Sequence, residues 1–362
     1  MQTTWDRVRG WRLHRHLLAD AEDPRVTSAT DVVRRVAGLQ AQVGSCAREA
    51  VAVRGRPARE VDTAVDNRSL VRTWAMRGTL HLLPSDDAAS YLALVASART
   101  WEKGAWQREF ATASEIAALA EAADRVLDGV LLTREELVAA LGPVASADRL
   151  TSGWGTLLKP LAWQGVLCNG PPRGARPTFT SPRSWLPGWN GLPGVEAAAA
   201  RVIPAYLSVH GPASPATFDA WLLRGATPKG QLRRWFADLI DTGVLTVVQV
   251  EGEPLHVRAE DLEGLADARP VPGVRLLPGF DPWILGPGTT DTRVVPPEHR
   301  ALVSRTAGWI APVVLVDGLV VGTWTAPADG ADPEIALFPG RAAPDRVAFA
   351  EEVDRWRSRR ES

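Results

Sequence analysis

The sequence contains few of the residues that bind metals, form disulfides or anchor a chain in a membrane. Its two cysteines, Cys46 and Cys168, lie far apart and belong to no CxxC or Cys/His cluster. We therefore expect buried thiols in a reducing compartment and no zinc site. No apolar run among the 362 residues is long enough to span a bilayer, and nothing at the N-terminus reads as a signal peptide. These absences predict a soluble, cytoplasmic protein.

Motifs of nucleotide-dependent and metal-dependent enzymes are missing as well. No GxxxxGK[ST] or GxGxxG sequence follows a predicted strand, and no HExxH occurs. Of the six histidines only His14 and His16 are close in sequence, and their i,i+2 spacing puts them on different sides of a helix. No nucleophile elbow or Ser/His/Asp set is recognisable. We therefore expect an activity without a cofactor or a metal ion.

Lysine is scarce, and positive charge is unevenly distributed along the chain. The net charge is −1, but residues 1–84 carry 14 Arg and no Lys against 9 acidic residues. Residues 251–362 carry 12 basic against 18 acidic residues. A phosphate backbone would be attracted to the N-terminal part if its arginines share a face. Alternatively, arginine is simply the preferred basic residue, because lysine occurs only at 103, 159 and 229.

The first 84 residues have the pattern of a winged helix, three helices followed by a hairpin. Apolar residues recur at helical spacing, and Ser28 or Thr30 can cap the second helix. The predicted elements are helices at 5–18, 28–39 and 58–68 and strands at 71–74 and 79–82. The strands flank Ala75–Gly78, which predicts a hairpin turn.

The same order returns twice, at 85–192 and at 193–269. The second copy has helices from Ser85, at about 114–128, from a capping box at Thr133, and at about 154–163, followed by strands near 166–169 and at Phe179. The third copy has helices at 196–209, from Pro215, and at 229–241, followed by strands at 244–250 and 255–258. Three tandem winged-helix units are therefore predicted.

From Val271 onward the pattern changes to short strands. They are predicted at 274–277, 313–316 and 319–323, and Asp317-Gly318 between the last two is a strong hairpin signal. A Gly/Pro/Thr-rich loop covers Gly286–Arg305, and a helix at about 344–359 follows the strands. We therefore predict an α+β chain that ends in a β-rich, barrel-like domain at 270–362.

A pair of carboxamides, Gln40 and Gln42, stands out within the first unit. Side chains at i and i+2 diverge on a helix but converge on extended backbone. A joint role therefore requires the second helix to end near Leu39, and Gly44 favours such a break. Without further context, Gln40 would be read as a helix-end residue and Gln42 as a solvent-facing one.

The context of the pair resembles a known family of DNA glycosylases. Three stretches are together similar to the AlkZ-like family, whose catalytic motif is Gln-apolar-Gln. They are Gln40-Ala41-Gln42, RTWAMRGTLHL at 72–82 and Phe280–Gly286 (FDPWILG). The more distant YcaQ branch has Asp at the second polar position, where this chain has Gln42. The resemblance extends over nearly the whole chain, and the family architecture agrees with the predicted order of units.

The resemblance implies a monofunctional DNA glycosylase acting on N7-alkylated purines, such as bulky natural-product guanine adducts or interstrand crosslinks. Self-resistance or base-excision repair would be its role. The implied partner is double-stranded DNA, and we expect a monomer without cofactors. A bulky adduct resists extrusion into a snug pocket, so we hypothesise that the lesion stays in the helix. A complex with the base rotated out of the stack would refute this.

Six further residues are candidates for contact with DNA. In the first hairpin, Arg77 lies at the turn and can reach phosphate or base edges, and His81 alternates with Leu80 and Leu82. In AlkZ-like proteins a hairpin of the C-terminal part is thought to probe the duplex. The candidates that the resemblance suggests there are Arg293, His299, Arg300 and Arg305. An ordinary polar loop is the alternative for each of them.

Two other functions remain open at the level of sequence. A winged-helix regulator without catalytic activity would usually dimerise to match two half-sites, whereas three unequal tandem units better suit a monomer on one site. A drug-sequestering protein would bind the free alkylating agent and would show no dependence on DNA.

Overall fold

The chain folds into two units, each assembled from segments that are distant in sequence. The structure, a computed structural model, describes residues 1–19, 23–142, 155–327 and 331–361. Unit 1 comprises Met1–Val61, Ile203–Trp221 and Phe236–Ser362, and unit 2 comprises Asp62–Val202 and Leu222–Trp235. Both units combine helices with β-sheet, which confirms the predicted α+β class.

Helices connect and cover the sheets in both units. In unit 1 they are Trp5–Arg15, Ala29–Arg35, Gly44–Val53, Leu262–Asp267, Pro282–Leu285, Arg300–Val303 and Arg346–Glu361. In unit 2 they are Ser85–Ser97, Gly104–Glu109, Ala113–Val126, Arg134–Leu141, Leu158–Trp163 and Pro182–Trp185. Four helices start in one unit and end in the other: Glu60–Asp66, Val195–His210, Pro215–Leu223 and Lys229–Asp241. None of the described helices is long and apolar enough to cross a membrane.

Capping residues start several helices where the sequence predicted them. The Ser28 hydroxyl accepts a hydrogen bond from the backbone N–H of Asp31, and Thr133 forms a capping box with Glu136. Each cap satisfies backbone donors that the first helical turn leaves without a partner. The helix Gly44–Val53 was not predicted, because Gly44 was interpreted as a break and not as a first helical residue.

The three-stranded sheet of unit 1 contains the hairpin of the third predicted winged helix. Leu245–Val250 pairs antiparallel with Glu253–Arg258, and Gln2–Thr3 adds a parallel strand against Leu245–Val250. Val8 of the first helix packs on this sheet with Val248 and Leu265. The hairpin prediction is confirmed, whereas the two-residue N-terminal strand is too short to give an alternating pattern.

The four-stranded sheet of unit 1 is antiparallel, and its strands follow the order of the chain. They are Val274–Leu277, Val313–Val316, Leu319–Thr325 and Glu334–Leu337. Asp317 and Gly318 have φ of 52° and 79°, so the predicted two-residue hairpin turn is confirmed.

The expectation of a barrel-like C-terminal domain was wrong, because this sheet is open. Its first and last strands do not pair with each other among the described residues. Closure requires enough tilted strands to curve around a filled interior, and four short strands do not provide this. A helix covers one face instead, with Trp356 packed against Trp324 and Val274. The opposite face, with Leu277 and Val313, faces a second apolar cluster.

Unit 2 contains an antiparallel sheet of five strands. In spatial order they are Leu80–Pro84, Leu70–Trp74, Cys168–Arg173, Arg176–Thr180 and Leu132–Thr133. The hairpins of the first two predicted winged helices are therefore part of one sheet, joined where Arg72 pairs with Asn169. The count of three winged-helix units and the boundaries at 84, 192 and 269 remain predictions. The predicted start of the helix near 154 falls on a residue outside the described ranges.

A buried ion pair connects two parts of unit 1 that are remote in sequence. Arg54 ends the helix Gly44–Val53, and its two terminal nitrogens each donate to one carboxylate oxygen of Asp281 at 2.8 Å. Both side chains have 0% exposure. Asp281 also caps the helix Pro282–Leu285 by accepting from the N–H of Trp283. The pair fixes the distance and orientation between these helices, because neither charge has solvent to compensate it.

We predict that Asp281→Asn destabilises the protein by about 3–5 kcal/mol, because it leaves the Arg54 guanidinium buried without a counter-charge. The measurement is the free energy of unfolding from urea denaturation. Asp332→Asn is the matched control, since the Asp332 carboxylate pairs with Arg357 at the surface. Its expected cost is below about 1 kcal/mol. Equal costs for the two variants would show that the buried pair does not hold unit 1 together.

Candidate active site

Gln40 lies on extended backbone, as the sequence predicted, but the preceding helix ends earlier than expected. The helix stops at Arg35, four residues before Leu39, and Leu39–Gln40 forms a short strand. Ala37 and Gly38 have φ of 58° and 95°, and their N–H groups donate to the carbonyl oxygens of Arg34 and Val33. This is a Schellman motif, which ends a helix by satisfying its last carbonyl groups. The buried Leu39, which prolonged the apolar pattern, belongs to the strand.

Burial alternates along the motif in the way that extended backbone requires. Leu39 and Ala41 are 1% and 3% exposed, Gln40 is half-buried and Gln42 is exposed. Side chains at i and i+2 of an extended segment lie on the same face, so Leu39 and Ala41 fix one face inside the protein. The two carboxamides occupy the less buried positions, Gln40 at the end of the strand and Gln42 in the bend that follows.

A helix begins two residues after Gln42. Val43 precedes the helix Gly44–Val53 and provides no side-chain cap, and the first turn contains no acidic residue. The N-terminal end of a helix carries a partial positive charge on its first N–H groups. The carboxamide pair is thus followed by a region of backbone that favours negative charge.

The helix after the motif is held against the segment Phe280–Gly286. Val43 and Cys46 pack on the apolar cluster that contains Phe280 and Ile310. A Cβ on Gly279 would lie 2.8 Å from the carbonyl oxygen of Ile310 and 3.5 Å from the sulfur of Cys46. Only glycine permits this close approach of the backbone to the carbonyl group of Ile310, and Cys46 of the helix lies in ordinary contact beside it. With the Arg54–Asp281 pair at its other end, the helix is fixed along its whole length.

Burial raises the pKa of two titratable groups on this helix. Burial raises the pKa of the Cys46 thiol, with a further contribution from Glu49. Burial also raises the pKa of Glu49, against the opposing charges of Arg359 and Arg360. A thiol with a raised pKa is a poor nucleophile at neutral pH. Cys46 therefore contributes packing and not covalent chemistry.

His81 lies in the unit 2 sheet with its side chain in the interior. It pairs with Thr73 across the hairpin and is 1% exposed. Its Nδ1 lies 3.0 Å from the carbonyl oxygen of Thr79, to which it can donate. Burial, and next the charge of Arg77, lower the pKa of His81 to about 3. A neutral imidazole at this depth offers no charge to a phosphate, and a contact of His81 with DNA stays a prediction.

The four C-terminal candidates have different environments. Arg293 pairs with Glu253 and stacks over Trp5 at 4.0 Å. His299 stacks on Phe338, with ring centroids 4.5 Å apart. Arg300 donates to the hydroxyl of Thr289 at 3.3 Å, and Arg305 to the carbonyl oxygen of Leu302 at 3.1 Å. Arg293 and His299 are thus engaged in packing, whereas Arg300 and Arg305 are exposed.

Arg305 starts a tight turn at the surface. Ser304 and Ile310 form an antiparallel bridge, and the N–H of Arg305 donates to the carbonyl oxygen of Trp309 at 2.8 Å. Ala307 and Gly308 reverse the chain with φ of 55° and 76°. Residues 305–309 are all exposed. Sequence reasoning selected Arg305 but did not identify this turn, because its strands are single residues.

Sequence reasoning also missed residues that position the motif, namely Arg54 and Gly279. Asp281 lies in the family-like segment Phe280–Gly286, but nothing in the sequence paired it with Arg54. In the described part of the chain no group of three or more His, Cys, Asp or Glu side chains could hold a metal ion.

Comparisons with known proteins agree on the class of enzyme. The family model for AlkZ-like DNA glycosylases matches residues 33–358. The interstrand DNA cross-link repair glycosylase of Streptomyces sahachiroi is 48% identical over 347 residues, which are 94% of this chain and 91% of that protein. The solved structure of the Streptomyces sahachiroi DNA glycosylase AlkZ matches with a TM-score of 0.93 and 44% identity, covering 99% of this chain and 98% of the other.

These matches place the protein among the DNA glycosylases, which are hydrolases acting on N-glycosyl bonds. The chain belongs to the AlkZ-like DNA glycosylase family. The resemblance that the sequence motifs indicated is thereby confirmed.

We predict that His81 makes stability depend on pH. Its folded pKa of about 3 lies below the unfolded value of about 6.5, so only the unfolded chain binds a proton between these values. The contribution of His81 to the free energy of unfolding is fully present above pH 6.5. It falls by about 1.4 kcal/mol per pH unit as the pH decreases through this window. Urea unfolding at a series of pH values should show a steeper decrease for the wild type than for His81→Gln.

Nuclear magnetic resonance of the ring nitrogens gives a direct check. We expect a neutral imidazole at pH 5 with the proton on Nδ1. Titration of this ring near pH 6.5 would contradict the burial of His81.

Proposed function

We propose that this enzyme hydrolyses the N-glycosidic bond of N7-alkylated purines in double-stranded DNA, including bulky guanine adducts and interstrand crosslinks. The observation that carries the proposal is the half-buried Gln40 at the end of a short strand, followed by the exposed Gln42 in a bend that leads into a helix N-terminus. The relative from Streptomyces sahachiroi, an interstrand DNA cross-link repair glycosylase, supports the substrate class.

The chemistry of the substrate suits a pair of carboxamides. Alkylation at N7 gives the purine a positive charge, so the base departs without a general acid. A carboxamide is no base at neutral pH, but its oxygen can accept a hydrogen bond from water while its NH₂ group donates elsewhere. In the proposed mechanism Gln40 and Gln42 hold a water against the anomeric carbon. Their dipoles stabilise the oxocarbenium-like centre, and positioning and fixed dipoles supply the rate enhancement.

The helix Gly44–Val53 follows the motif directly and fixes the backbone that carries Gln42. As the water oxygen bonds to the anomeric carbon, the glycosidic C–N bond breaks and its electron pair neutralises the departing cationic base. The proton lost by the water passes to solvent. The buried Arg54 and Asp281 act at a distance by holding this helix in place. They are positioning residues.

Damaged duplex DNA is the proposed partner, and a cytoplasmic monomer is the proposed working form. Arg300 and Arg305 are the candidates with exposed side chains, and Arg77 is half-buried at its turn. Phosphate contacts from arginine would orient the duplex. Arg293, His299 and His81 remain candidates that must leave their packed positions to reach DNA.

We predict that Gln40→Ala and Gln42→Ala each lower the single-turnover excision rate by about 100-fold or more, a loss typical of removing one positioned dipole. The substrate is a duplex with one N7-alkylguanine, and alkaline strand cleavage reports abasic sites. Gln249→Ala, on the strand Leu245–Val250, is the matched control and should keep the wild-type rate. Wild-type rates in both motif variants, with DNA binding intact, would refute the proposed roles.

A second prediction concerns Arg305. Arg305→Gln should weaken binding to undamaged duplex equally across sequences and reduce the slope of log K against log salt by about 0.9, the value for one phosphate contact. Fluorescence anisotropy at several salt concentrations measures this slope. Arg357→Gln removes the same charge from an exposed arginine paired with Asp332 and Asp354, and its slope should not change. Equal slopes for wild type and Arg305→Gln would exclude a phosphate contact at this turn.

A further inference from the structure

A strained turn in unit 2 presents Arg77 next to a half-buried lysine. Arg77 has φ of 57°, a conformation that residues with a side chain rarely adopt, and Gly78 follows with φ of 70°. The N–H of Gly78 donates to the carbonyl oxygen of Ala75 at 3.0 Å, and the Thr79 hydroxyl donates to that of Met76 at 3.2 Å. The turn is therefore held in its shape by its own hydrogen bonds.

Lys159 and Trp163, on the helix Leu158–Trp163, lie against this turn. A Cβ on Gly78 would be 3.5 Å from Cζ2 of Trp163 and 4.0 Å from Cδ of Lys159. The turn, the lysine stem and the indole ring are thus neighbours in unit 2.

Two polar groups beside the turn, the Lys159 amine and the Trp163 indole N–H, have no hydrogen-bond partner among the described residues. Lys159 is half-buried, and no described residue accepts a hydrogen bond from it or forms an ion pair with it. Burial, and next the like charge of Arg224, lower the pKa of Lys159. The indole N–H of the buried Trp163 has no acceptor among the described residues either, and this nitrogen is two bonds from the Cζ2 atom that faces Gly78.

A second group of cations, in unit 1, differs from Lys159 because carboxylates lie beside it. Arg15, Arg25, Arg35 and Arg258 line a cavity of about 390 Å³ in unit 1. There Asp23 pairs with Arg25 and Arg35, and Asp261 pairs with Arg258. Arg25, Arg35 and Arg258 thus have carboxylate partners within the protein, and Arg15 donates to the carbonyl oxygen of Ser208. A desolvated ammonium without an anion is costly, and an external anion relieves that cost.

We propose that Lys159, with the Arg77–Gly78 turn and the Trp163 indole, forms a binding site for a phosphate of the DNA backbone. Phosphate oxygens accept hydrogen bonds from the ammonium group and supply the counter-charge that no described residue provides. Arg224 adds positive potential from the same unit. The proposal rests on the proposed function, because it assumes that the protein binds duplex DNA.

The small number of lysines permits a direct test. Reductive ¹³C-methylation keeps the charge and labels Lys103, Lys159, Lys229 and the N-terminal amine. The signal missing from Lys159→Gln identifies Lys159. Addition of undamaged duplex should shift this signal and raise the pKa of the Lys159 amine. A signal and a pKa that do not change when the protein is saturated with duplex would overturn the proposal, and so would a failure of the protein to bind duplex.

Two further measurements distinguish DNA phosphate from free phosphate, and a contact at Lys159 from the loss of one positive charge. Inorganic phosphate is titrated in parallel, and a response to it without a response to duplex would overturn the assignment to DNA. Lys159→Gln should reduce the salt slope of duplex binding by about 0.9, whereas Lys103→Gln, with the same change of charge at an exposed position, should not. Equal reductions in both variants would also overturn it.

The midpoint of urea unfolding distinguishes a binding role of Lys159 from a structural role. Because Lys159 lacks a described partner, Lys159→Gln should leave the urea midpoint unchanged or raise it, and a lowered midpoint would indicate a structural role instead. All arms use undamaged duplex and do not require excision. Normal excision by Gln40→Ala would therefore refute the proposed catalytic pair without affecting this site.

Discussion

The arrangement of unit 1 depends on one buried ion pair, Arg54 with Asp281. The two residues are 227 positions apart in sequence, and neither is exposed to solvent. Removing two charges from water is costly, and the cost is recovered only where the geometry provides paired hydrogen bonds. The fold must therefore bring the end of the helix Gly44–Val53 to Asp281 in one orientation. That helix starts two residues after Gln42, so the constraint reaches the candidate active site.

Burial also determines which groups can take part in chemistry. It keeps His81 and His16 neutral by lowering their pKa values and keeps the thiols of Cys46 and Cys168 protonated by raising theirs. These two histidines therefore carry no charge at neutral pH, and these two cysteines are poor nucleophiles. A pair of carboxamides does not titrate, and it suffices where the leaving group already carries a positive charge. The electrostatics of the protein and the proposed substrate are consistent in this respect.

Local signals in the sequence predicted much of the secondary structure. The Asp317-Gly318 turn, the capping box at Thr133 and the helix Lys229–Asp241 were found where they were expected. Each depends on a few neighbouring residues, whose hydrogen bonds and dihedral preferences are set within one or two turns. The helix Gly44–Val53 was missed, and the helix Ala29–Arg35 was predicted four residues too long. The first helix was missed because Gly44 was interpreted as a break. The second ends early through the local Schellman motif at Ala37 and Gly38, whereas the apolar pattern continues to Leu39.

The sequence by itself determined the family, the carboxamide pair and the extended backbone at Gln40. Only the tertiary structure decided that His81 is buried, that the C-terminal sheet is open, and that Arg54 meets Asp281. The reason is physical. A motif and its backbone are specified by residues that are adjacent in the chain, whereas burial and desolvation are set by neighbours from remote segments. Whether a charged side chain such as Lys159 has a partner can therefore be determined only from the folded structure.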